Sequence, residues 1–172
     1  MKHQYVKKLA IAGILTAVGV IGGTLSVPVG FTRCCPMQSV INVIGAIFLG
    51  PWYSLGTAFC ISLLRNILGT GTIMAFPGSM CGALLCGLMY KKTRNLPATL
   101  CAEVFGTGII GGLLSYPIAV AFMGVEAGSI AFYAYVVPFL VSTVGGSLIA
   151  GALVLALKSS GALKSMQSAL EH

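Results

Sequence analysis

The chain has 172 residues, of which 57% are hydrophobic and 8% charged, and its mean hydropathy is +0.98. A soluble domain carries about 25% charged residues, so this surface is solvated by lipid, and the length leaves room for one membrane domain and no separate soluble one. The net charge of +7 does not mark a nucleic-acid binder, because Lys2, Lys7, Lys8, Lys91, Lys92, Arg94, Lys158 and Lys164 sit at the ends of apolar runs, as cytoplasmic flanks do.

The opening MKHQYVKKLAIAGILTAVGVIGG is basic and then apolar. No small-x-small cleavage site follows, and the apolar run is long for a signal peptide, so residues 8–26 read as a retained first span. Its small residues Ala10, Ala12, Gly13, Thr16 and Ala17 form a face that suits close approach of a partner protein. Next comes VPVGFTRCCP, a break with two prolines, and then a short second span at 37–49. At 1.5 Å per residue that span covers only about 20 Å. A loop at membrane depth is tolerated when it lines a cavity or is buried in protein, so the segment FTRCCPMQSVIN is expected to dip inward. Gln38 and Asn42 are four apart and share a helix face, offering donors and acceptors to a small polar ligand or to a neighbouring helix.

Gly50-Pro51 reads as a tight turn opening a third span at 51–68. Arg65 and Asn66 end it, where Arg65 either snorkels to headgroups or faces a ligand. The glycine-rich GTGTIMAFPG lacks the lysine of a phosphate cradle, and Pro77 is expected to open a fourth span to Tyr90, with Ser79 near its start. A fifth span runs from Pro97 to about Phe122 and carries Glu103 with Thr107 one turn above it. An ionisable residue inside a membrane defaults to a functional hypothesis, with a structural hydrogen bond as the alternative. From the cytoplasmic helix ends Glu103 rises about 9 Å and Arg65 about 21 Å, so the two are not expected to pair, and a ligand seated high meets Tyr116 rather than Glu103. A sixth span covers about 130–157, and Trp52, Tyr133 and Tyr135 suit an interfacial aromatic belt.

The fold class expected is therefore an all-α membrane protein, a bundle of six transmembrane helices with both termini cytoplasmic, in one domain over 1–169. Residues 170–172 resemble a tag remnant. The loop at 31–42 and GTGTIMAFPG then share the outer face. No aspartate occurs, the glutamates are Glu103, Glu126 and Glu171, and no catalytic pair or metal-ligand spacing is present, so neither enzyme chemistry, nor a metal, nor a cofactor is expected. Cys34 and Cys35 are adjacent and read either as small loop residues or as a redox pair.

The stretches SVPVGFTRCCPMQSVINV, LGPWYSLGTAFCISLLRNILGTGTIMAFPGSMCGALLCGLMYKKT and AEVFGTGIIGGLLSYPIA resemble the substrate-binding S components of energy-coupling factor vitamin transporters, and most of all the ThiW group, over about residues 5–157. The resemblance implies a six-helix bundle in the cell membrane with a first loop, here Arg33, Cys34, Cys35 and Pro36, over a pocket open to the outside. It also implies a small-residue face on the first helix that docks on a transmembrane coupling subunit with two ATPases. Ala12/Thr16 and Gly13/Ala17 are the candidate pairs, and neither is a clean alanine pair. The implied ligand is hydroxyethylthiazole, a vitamin precursor, with Gln38, Asn42, Arg65, Asn66, Ser79, Glu103, Thr107 and Tyr116 as candidate contacts on chemical grounds. The alternatives are thiamine, its pyrimidine precursor, an intramembrane enzyme or a structural membrane protein. A diphosphate calls for more cations than Arg33 and Arg65 supply.

Overall fold

The computed structural model describes residues 2–29, 32–126 and 128–171, and their side chains except at 2, 3, 27–29, 32–34, 169 and 171. Helix α1, Lys2–Gly22, ends in a 3-10 turn at Gly23–Leu25. Two short strands follow, β1 at Val27–Val29 and β2 at Thr32–Cys34, paired antiparallel with Pro28 opposite Arg33. The bundle continues with α2 (Pro36–Phe48), α3 (Pro51–Ile67) and α4 (Ala75–Thr93). The next rod is continuous over Leu96–Phe122 and has three parts: α5 (Leu96–Glu103), a π-helical segment (Val104–Gly111) and α6 (Gly112–Phe122). Helices α7 (Val136–Ser159) and α8 (Ala162–Glu171) complete the chain.

The apolar stretches read from the sequence fall on helices of this bundle with shifted ends. Pro36, Pro51 and Pro97 stand in first turns, where a missing N–H removes no helical hydrogen bond. Helix α4 starts at Ala75 rather than at Pro77, and Pro77 lies within its first turn for the same reason. The last long helix starts at Val136, later than expected, because residues 131–135 form turns that end on the buried Tyr135. The break expected between the first two helices is a short hairpin: β-branched residues at Val27, Val29 and Thr32 favour extended backbone, and β1 tolerates Pro28 as an edge strand does.

Among the described residues, three helical segments are long and apolar enough to cross a membrane: Gln4–Leu25, Leu96–Phe122 and Val136–Ser159, with Pro36–Phe48 a shorter apolar helix. Large apolar side chains cover the outside, such as Ile14 and Ile21 on α1, Ile67 on α3, and Leu148 and Leu155 on α7. A lipid-facing surface has this character. Inside, α2 is the axis. Ten of its residues are buried, and its apolar members join Cys86, Ala150 and Val154 in the main core. Leu163 and Leu170 of α8 pack into the same core, so the last helix folds back onto the bundle through at least Leu170; His172 lies outside the described residues.

Glycines set the closest helix contacts. Gly106 lies against the backbone of Gly82, and Gly111 against that of Gly78, so α4 and the π-helical segment touch backbone to backbone. Gly108 and Gly112 instead seat Leu140 and Val136 of α7. These small residues serve packing within the chain, as small residues in membranes do.

Candidate functional site

At the end of the bundle where the hairpin enters α2, a cavity of ≈ 50 Å³ opens between α2, α3, α4, the π-helical segment and α7. Its polar lining includes Gln38 and Ser39 at the start of α2, Arg65 at the end of α3, Ser79 at the start of α4, and Thr107 of the π-helical segment. Cys35, Pro138 and Phe139 supply apolar wall. The volume holds about four waters, at roughly 10–15 Å³ for each.

Two lining side chains carry buried polar atoms without a hydrogen bond. Gln38 is 6% exposed, and neither its Oε1 nor its Nε2 has a hydrogen bond. Arg65 is 3% exposed; it donates through Nη2 to the carbonyls of Gly23 (3.3 Å) and Thr70 (3.2 Å), while its Nε is unpaired. Buried polar groups are ordinarily satisfied, and these atoms keep their hydrogen-bonding capacity unused within the chain.

Beneath the cavity lies a polar knot. Asn42 Nδ2 donates to Glu103 Oε1 (3.2 Å) and Oε2 (3.3 Å) and to the Ser79 carbonyl (3.3 Å). Thr107 Oγ1 donates to Glu103 Oε1 at 2.8 Å, and the Cys86 thiol to Oε2 at 3.2 Å. Glu103 is 0% exposed. Gly82 makes the knot possible, because a Cβ there would stand 2.6 Å from Glu103 Oε2 and would run into Thr107. Beside the knot, the hydroxyls of Ser62 and Ser79 share a 2.8 Å bond, and Ser39 donates to Thr143 at 3.2 Å.

Among the candidates named from the sequence, Gln38, Arg65, Ser79 and Thr107 meet at the cavity, and Asn42 and Glu103 lie directly behind them. Arg65 points inward and does not snorkel, because α3 ends against Gly23, where only a hydrogen atom leaves room for the guanidinium. Asn66 is used locally: its amide donates to the Ser62 carbonyl (2.8 Å) and the Thr72 carbonyl (3.1 Å), which fixes the loop after α3. Tyr116 stands outside the cavity; it packs on the cluster of Met74, Ala119 and Tyr135, and its hydroxyl accepts from Gly128 N–H. Tyr135 leaves the interfacial belt for this second core, whereas Trp52 is 73% exposed. Of the proposed lid, Cys35 is a buried free thiol in the cavity wall and Pro36 begins α2. The side chains of Arg33 and Cys34, with the redox question attached to Cys34, lie outside the described residues. Ser39, Thr143 and Ser62 went unnamed from the sequence, although Ser39 shares its turn with Gln38; Cys86, which reads from its apolar run as a small hydrophobe, instead bonds Glu103.

The two candidate docking pairs on α1 face different ways. Ala12 is half-buried against the core, and Thr16 is half-buried with its hydroxyl donating back to the Ala12 carbonyl at 2.7 Å. Gly13 and Ala17 are exposed, and no atom stands within 4 Å of a Cβ placed on Gly13.

Comparison with known proteins adds to this geometry. Among solved structures, the crystal structure at 2.1 Å of the S-component for biotin from an ECF-type ABC transporter is similar, with a TM-score of 0.62 and 18% sequence identity, covering 89% of this chain and 93% of that chain. At that identity the likeness carries the fold: this chain has an S-component fold. Among curated protein sequences, none matches. The family model for ThiW, the thiamine-precursor transporter protein, matches residues 9–160. With its apolar helices, the molecule is a multi-pass membrane transporter and not an enzyme. The chain belongs to the ThiW family of thiamine-precursor transporter proteins.

Proposed function

We propose that this chain is the substrate-binding subunit of an importer of the energy-coupling factor type and that it captures hydroxyethylthiazole from outside the cell. The observation that carries the site is Gln38: a buried carboxamide, facing a cavity, with neither polar atom bonded. A neutral thiazole offers what this cavity lacks. Its ring nitrogen accepts, its hydroxyl donates and accepts, and its flat ring suits the wall formed by Phe139 and Pro138.

Two features favour the thiazole over thiamine or the pyrimidine precursor. The cavity is small. Among the described residues no carboxylate lines it, because Glu103 is buried behind Asn42 and Thr107 and already receives three donors. A permanently cationic thiazolium would therefore lack a counter-charge. Glu103 is then a positioning group that holds Asn42 and Thr107 rather than a ligand contact.

The reading of six crossings with both termini cytoplasmic rests on charge. Lys8, Lys91 and Arg94 gather at one end of the bundle, opposite the Gln38 cavity, which favours an outward-facing cavity under the positive-inside rule. The hairpin, with β2 packed against α7, would cover that mouth. The exposed pair Gly13/Ala17 is the better docking face for a coupling subunit and its two ATPases, since Ala12/Thr16 is occupied internally. Uptake of labelled hydroxyethylthiazole by cells making this chain together with a coupling module tests the reading. Uptake displaced by unlabelled thiazole and not by thiamine or the pyrimidine is expected; displacement by thiamine alone would reassign the ligand.

A further inference from the structure

A second cavity, of ≈ 430 Å³, lies at the opposite end of the bundle and takes no part in the site above. Lys8 from α1, and Lys91 and Arg94 at the end of α4, line it, with Gln167 of α8. Its floor is apolar, from Phe48, Leu49 and Leu170. Among the described lining residues none is acidic. Three cations from two stretches of chain, the start of α1 and the end of α4, thus face one space whose described lining holds no counter-charge.

Arg94 sharpens the point. It is the only non-glycine residue with positive φ among the described residues, at φ 51° and ψ 23°, in the left-handed cap that ends α4. Glycine is the default there because it has no Cβ to clash. An arginine here keeps a cation at the cavity rim against that preference, with its guanidinium 5.7 Å from the Tyr90 ring centroid. Tyr90 is held in turn by Gln167, whose amide donates to the phenol oxygen at 3.3 Å. Trp52, exposed to the outside, borders the same cavity.

We propose that this cavity binds the phosphate headgroup of an anionic phospholipid. The cationic rim over an apolar floor matches an amphiphile rather than a soluble anion, and the exposed Trp52 is the type of side chain that sits at headgroup level. Basic pockets between membrane helices on the side rich in Lys and Arg are suited to such headgroups. The inference stands apart from the identity of the transported ligand, since it concerns the other end of the molecule.

Trp52 is the only tryptophan, which gives a direct readout. In mixed micelles, phosphatidylglycerol with brominated acyl chains should quench Trp52 fluorescence at a mole fraction at least about fivefold lower than brominated phosphatidylcholine, the difference that about 1 kcal/mol from a single cation near the headgroup produces. The combination Lys8→Gln, Lys91→Gln and Arg94→Gly should abolish that preference. Arg94→Gly alone relieves the left-handed backbone, so it should fold at least as well and still weaken the preference. An unchanged melting temperature of each variant confirms that the fold is intact. Equal quenching by both lipids, or a preference that survives the triple substitution, would overturn the proposal. Loss of the preference on adding millimolar glycerol 3-phosphate would overturn the lipid source, leaving a site for a soluble phosphate.

Discussion

Asn42 on α2 and Glu103 on α5 are joined by a forked contact, one amide nitrogen lying 3.2 and 3.3 Å from the two carboxyl oxygens, with both side chains sealed from solvent. This contact ties the central helix to the rod that carries the π-helical segment. Asn42→Leu and Glu103→Leu should each destabilise the protein by about 1–3 kcal/mol, because each leaves a buried polar partner unmatched. The double variant should lose less than the sum, by about 1 kcal/mol or more, as contacting residues do. Denaturation of the four proteins in one detergent checks this, and strict additivity would show that the two side chains do not support each other.

Gly82 provides a sharper steric test. Gly82→Ala should lower stability by about 1–3 kcal/mol through overpacking, since the new methyl would meet Thr107 and Glu103. Gly13→Ala is the control, because its Cβ points into open space. Melting temperatures of the pair should differ, with Gly13→Ala at or above wild type, as alanine favours a helix over glycine by about 1 kcal/mol.

Gln38 separates binding from folding. In the empty protein its carboxamide is buried without partners, so Gln38→Leu should leave the melting temperature unchanged or raise it. Ligand affinity should fall by about 1–3 kcal/mol, roughly 5- to 150-fold, from lost or unmatched hydrogen bonds. A large fall in the melting temperature of the ligand-free variant would instead mark Gln38 as a packing residue.

Gly13→Leu and Ala17→Leu should abolish co-purification with a coupling complex while leaving ligand binding and melting temperature near wild type, because both positions face outward. Ala12→Leu should act differently and lower stability, since Ala12 packs against the core. Retained association in Gly13→Leu and Ala17→Leu would place the docking face elsewhere.

Much of this was legible from spacing. The four-residue intervals Gln38–Asn42 and Glu103–Thr107 put each pair on one helix face, and Glu103 and Thr107 are indeed bonded at 2.8 Å. Helical period fixes which residues share a face and not which neighbour they meet, so the bond from Asn42 to Glu103 was out of reach. The same limit separates Arg65 from Tyr116. Both were placed near the outer end, yet the small Gly23 lets Arg65 turn inward, while Tyr116 is taken up by Met74 and Tyr135. The π-helical segment left a faint trace in the clustered Gly106, Gly108, Gly111 and Gly112. The hairpin was hidden because a Pro- and Cys-containing stretch between helices reads equally well as an irregular loop.

The most direct test of the central claim is calorimetric titration of hydroxyethylthiazole into the purified protein, beside Gln38→Leu. The account predicts saturable one-to-one binding to wild type and binding weakened at least fivefold in the variant, with thiamine and the pyrimidine precursor binding less tightly than the thiazole. Equal affinity in wild type and Gln38→Leu, or no heat of binding with the thiazole while thiamine binds, would contradict it.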